Sequence, residues 1–81
     1  MRGLLRRIEE VAQAERARRV VGVSVWLGAL SHFSAEHFAD HFAEASAGTI
    51  ADGASLSATL SDDLRHPNAQ DVLLQSVEVE A

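Results

Sequence analysis

Gly28-Ala29-Leu30-Ser31-His32-Phe33-Ser34-Ala35-Glu36-His37-Phe38-Ala39-Asp40-His41-Phe42 joins the most strand-like run of this chain to its most helix-like run. It holds three of the four histidines and all three phenylalanines, so packing and any chemistry converge on it. Ser34 is suited to cap a helix: its hydroxyl can accept from first-turn amides, and Glu36 favours the positive end of the dipole. Phe33 and Phe38 stand at the N′ and N4 positions of a hydrophobic staple. Phe38, Phe42 and Ala45 continue an inward stripe, and Gly48 is a natural stop. The spacing predicts a helix over Ala35–Ala47.

Upstream, Val20 to Leu30 is β-branched and reads as a strand. Alternation places Val21, Val23, Val25 and Leu27 on an inner face and Val20, Gly22, Ser24, Trp26 and Gly28 on an open one. Trp26 is expected to lie flat over neighbouring strands, the alternative being an exposed partner contact. Further upstream, Leu4, Ile8 and Val11, flanked by Leu5 and Ala12, form the apolar stripe of a helix spanning roughly Gly3 to Ala17. Its start lacks a capping residue. Downstream, Ala54 to Ser61 alternates, with Leu56, Ala58 and Leu60 inward. Asp62 to Asp71 is a polar loop with a turn at His66-Pro67-Asn68. In the last strand, Val72 to Glu80, Val77 and Val79 have the opposite parity to Val72 and Leu74, which requires a bulge near Gln75-Ser76.

The order helix, strand, helix, strand, strand predicts an α+β, two-layer sandwich. Two helices cover one face of a three-stranded mixed sheet. Val20–Ser61 forms a crossover with parallel neighbours, and the last two strands pair as an antiparallel hairpin. Residues 1–81 form one domain.

Composition narrows the function. A net charge of −5 argues against nucleic acid, and the arginines between Arg2 and Arg19 alternate with Glu9, Glu10 and Glu15 as on a salt-bridged helix surface. With no cysteine, neither disulfides nor thiolate metal sites can form. The run from Val20 to Leu30 is too short to span a bilayer, and no signal peptide is evident, so a cytoplasmic protein without membrane contacts is expected. No glycine-rich phosphate loop, zinc-protease motif or nucleophile elbow is present, so the residues suggest a binding module and not an enzyme. His37 and His41, four apart on the predicted helix, can chelate a transition metal, with Glu44 one turn on and His32 from the preceding loop as further ligands. The competing reading is an ordinary solvated helix face. His66 reads as a plain loop residue.

Several segments together resemble one family. They are Arg19-Val20-Val21 leading into the strand, Leu27-Gly28-Ala29-Leu30-Ser31-His32, the phenylalanine-bearing helix, Gly48-Thr49-Ile50-Ala51-Asp52-Gly53-Ala54, and Ser76-Val77-Glu78-Val79-Glu80. In this order they resemble the hydrogenase/urease nickel-incorporation proteins of the HypA/HybF type. The resemblance implies a nickel metallochaperone for maturation of [NiFe]-hydrogenase, with the hydrogenase large subunit and a nickel-handling GTPase as partners. Self-association is left open.

Two departures stand out. Family members carry a zinc domain with two Cys-x-x-Cys pairs where this chain has only the loop 62–71, so no zinc is expected. They also bind nickel at a Met-His-Glu start, whereas this chain begins Met1-Arg2-Gly3, and Arg2 has no lone pair to offer. The missing cap and missing motif at the same end lead to the expectation that Met1 is internal and the natural protein begins a few codons upstream. The alternative to a nickel carrier is a zinc-less, metal-independent module that docks a hydrogenase subunit or GTPase.

Overall fold

A computed structural model describes all 81 residues. In chain order it contains α1 (Arg2–Ala14), β1 (Arg19–Leu27), α2 (Ala35–Ser46), β2 (Ser55–Leu60) and β3 (Val72–Glu80). The architecture is the expected α+β sandwich, with both helices packed into one core against a three-stranded mixed sheet. α1 packs mainly over β3 and α2 over β2.

β1 is the central strand, parallel to β2 and antiparallel to β3. The expected hairpin of β2 and β3 is therefore corrected: these strands flank β1 and do not pair with each other. β1 is the most apolar strand, and the central position buries it best. The loop 62–71 carries the chain across the end of β1 to reach the far side.

The predicted bulge is present. Ser24 faces Ser76 and Val25 faces Leu74, which leaves Gln75 as the extra residue. It lets Val72, Leu74, Val77 and Val79 all pack against the core despite their broken alternation. A second irregularity was not foreseen. Val20 pairs with Val79 and Gly22 with Glu78, so Val21 is skipped. This bulge turns Val20 into the core at 1% exposure and leaves Val21 half-buried, reversing the expected assignment of that pair.

The core gathers Ile8 and Ala12 of α1, Val20, Val23, Val25 and Leu27 of β1, Phe38 and Phe42 of α2, and Ala51. Burying each phenylalanine is worth about 2–3 kcal/mol relative to leaving it exposed. Leu60 keeps its inward parity beside Leu27 but remains 54% exposed, because β2 ends there on the sheet edge.

The ends of α1 and β1 depart most from expectation. α1 stops at Ala14 because Arg16 takes a left-handed φ of 52°. Arg16 N–H then donates to Gln13 C=O and Ala17 N–H to Ala12 C=O, the paired bonds of a Schellman stop. β1 ends at Leu27 because Gly28 enters a seam with the loop 62–71. Gly28 N–H donates to Asp71 C=O at 2.9 Å and Leu30 N–H to Ala69 C=O at 2.7 Å. A Cβ on Gly28 would sit 2.2 Å from the Ala69 carbonyl oxygen, so only glycine allows this approach.

Candidate metal site

α2 starts as its sequence dictates. The Ser34 hydroxyl accepts from the His37 N–H at 3.0 Å, and the Phe33 and Phe38 rings meet edge to face with centroids 5.3 Å apart. This staple fixes the entry angle of the helix and with it the first turn that carries His37.

His37 and His41, one turn apart, bring their Nε2 atoms to 3.0 Å with ring centroids 4.6 Å apart. Both are exposed. Phe33 stands beside them, its centroid 6.0 Å from that of His37 and 6.3 Å from that of His41. The phenylalanine read as a staple thus also forms the apolar wall of the histidine pair. The hydrogen bond between the rings needs one Nε2 protonated and the other bare, so at least one imidazole is neutral when it forms.

The other two sequence candidates stay outside the pair. His32 is exposed, with a left-handed φ of 65°, and lies two residues before the cap, off the helix. Glu44 is exposed one turn beyond His41. No three His, Asp or Glu side chains converge into a set able to hold an ion. The pair brings together two imidazole nitrogens and no third donor. Metal–nitrogen bonds of about 2.1 Å at a right angle place two nitrogens roughly 3.0 Å apart, whereas a tetrahedral angle spreads them to roughly 3.4 Å. The 3.0 Å between the two Nε2 atoms is the length of the hydrogen bond that joins them, and any ion would have to displace its proton and fill its remaining positions from water or a partner's donors.

His66 lies in the loop 62–71, as expected, and packs back onto the sheet. Its ring lies 4.7 Å from that of Trp26, centroid to centroid, and its Nδ1 accepts from the Asn68 N–H at 2.9 Å. Trp26 is half-buried on the open face of the sheet, between Thr59 of β2 and Leu73 of β3. Next to His32, the Ser31 hydroxyl is buried with no hydrogen-bond partner. Nothing in the local sequence marks either feature, because both depend on how the loop 62–71 and the seam at Gly28 fold back onto the sheet.

No protein-family model matches the chain, and no curated protein matches its sequence. Among solved structures, the chain is similar to the solution structure of the Ni metallochaperone HypA from Helicobacter pylori. The TM-score is 0.78 at 17% sequence identity, covering 98% of this chain and 92% of that one. The fold is HypA-like. The likeness spans both helices and all three strands, and at this identity it speaks to architecture alone. No helix is long and apolar enough to cross a membrane.

Proposed function

We propose that this chain is a HypA-like accessory protein of nickel-enzyme maturation, not an enzyme, that binds Ni(II) as cargo and delivers it in the cytoplasm. By the same reading its partners are a hydrogenase large subunit and a nickel-handling GTPase. The observation that carries the reading is the likeness of nearly the whole fold to a Ni metallochaperone. In this reading the His37–His41 pair would hold the ion, independently of the N-terminal residues. Two ligands suit a carrier, since a weakly completed coordination sphere can be handed on. In this reading the loop 62–71 stands where the family has its zinc domain. Its turns are closed by its own hydrogen bonds, Asp63 Oδ1 accepting from Arg65 N–H and Asp71 Oδ2 from the Asn68 side-chain amide.

A second reading is a metal-independent interaction module. It is favoured by the absence of cysteine and of a third converging ligand. Calorimetric titration with Ni(II) separates the two. The nickel reading expects one ion per chain, with binding abolished in the His37→Ala/His41→Ala double variant. Binding that survives in that variant puts the ion elsewhere, and no binding by the unaltered chain leaves the interaction module.

A further inference from the structure

One end of the sandwich opens into a groove of about 910 Å³ between the start of α1, the start of α2 and the start of β3. Its walls are Leu4, Phe33, Phe38 and Val72–Leu74, with Met1 and Gly3 at the mouth. Only Arg7 and His41 bring ionisable side chains to the lining. The chain carries twelve acidic residues against seven arginines, yet no acidic residue lines this groove. Arg7 has no partner, since Arg19–Glu80 is the sole ion pair in the molecule. An apolar trough whose one permanently charged side chain is an unpaired guanidinium complements an occupant with apolar side chains and a carboxylate.

The backbone at the groove adds a direction. Val72, Leu73 and Leu74 open β3, which lies at the sheet edge with β1 on one side only. The other side offers unpaired main-chain donors and acceptors along a strand of nine residues. Leu73, between two core-facing neighbours, is 38% exposed on the open face of the same strand.

We infer that this groove and the adjoining edge of β3 form a docking site for an extended, acidic-apolar peptide segment of a partner protein. The segment adds as a strand to β3, sets apolar side chains against Leu4, Phe33 and Phe38, and places a carboxylate on the Arg7 guanidinium. His41 belongs to both the groove lining and the imidazole pair, so a docked segment lies beside the proposed nickel position. Docking itself requires no metal, and it stands or falls separately from nickel binding.

The test is a metal-free NMR titration of the full chain with two probes, acetyl-Leu-Glu-Leu-Glu-Leu-amide and its lysine counterpart acetyl-Leu-Lys-Leu-Lys-Leu-amide. The acidic probe is expected to bind about tenfold more tightly, a preference typical of one well-placed charge pair, and to shift amides of Leu4, Phe33 and Val72–Leu74. Arg7→Glu should invert the preference and Arg7→Gln abolish it. Arg6→Glu, which makes the same change of net charge on α1 away from the groove, should leave it intact. Equal affinities for the two probes, no binding, or shifts confined to other surfaces would overturn the proposal. So would decanoate filling the groove while the peptides do not, or self-association of the chain through the same residues.

Discussion

His66 and the His37–His41 pair both set imidazoles beside an aromatic ring, and they do opposite things with their nitrogens. The half-buried His66 gives Nδ1 to the Asn68 N–H and its ring to Trp26, so it ties the loop 62–71 to the open face of the sheet. His37 and His41 are exposed, and their Nε2 atoms meet only each other. The first imidazole has its lone pair engaged by the backbone. The second two engage only each other, at an exposed position where an incoming ion could replace the shared proton. For a histidine, the use its ring nitrogens already have says more about its role than its neighbours in sequence do.

Substitutions can break this contrast from either side. The largest stability effect is expected for Gly28→Ala, whose Cβ would lie 2.2 Å from the Ala69 carbonyl oxygen, at the base of the loop that carries His66. Opening that seam should cost about 3 kcal/mol in denaturant unfolding, with the α2 site unaltered in whatever fraction stays folded. The His37→Ala/His41→Ala variant should do the reverse. It should lower Ni(II) affinity by about a hundredfold or more, while stability stays within about 0.5 kcal/mol because both side chains are exposed.

Ser34→Ala sharpens the comparison by acting on the helix that carries the pair. Loss of the 3.0 Å cap to His37 N–H should cost about 1 kcal/mol in thermal or chemical unfolding. Nickel binding should weaken only modestly, since the staple still fixes the helix entry. The smallest effect belongs to His66→Ala. Removing the ring from Trp26 should cost about 0.5–1 kcal/mol and shift tryptophan emission to longer wavelength, with no change in the nickel titration. A change in nickel affinity in His66→Ala would collapse the distinction between the two kinds of histidine.

What could be seen in the sequence was whatever is local. Ser34, Phe33 and Phe38 announced the start of α2, and the parity break between Leu74 and Val77 announced the bulge at Gln75. The i, i+4 spacing of His37 and His41 was enough to place both rings together. The bulge at Val21 left no such trace, because Val20 and Val21 are the same residue and alternation cannot say which faces in. The pairing of β3 with β1 was hidden because it depends on the path of the loop 62–71, not on either strand alone. The arginines of α1 misled. Their alternation with glutamates suggested a salt-bridged surface, yet the one ion pair formed is Arg19–Glu80, across two strands. The packing of His66 on Trp26 was hidden for the same reason as the seam, since the two are forty positions apart.

The central place of β1 also bears on how the protein comes into being. Arg19 pairs with Glu80 and Val20 with Val79, so the middle strand meets one of its two neighbours only through the far end of the chain. During synthesis, α1, β1, α2 and β2 can leave the ribosome and gather, but one long edge of β1 stays bare until β3 emerges. A strand as apolar as β1, left half-covered in that interval, is the surface most in need of shielding from other nascent chains.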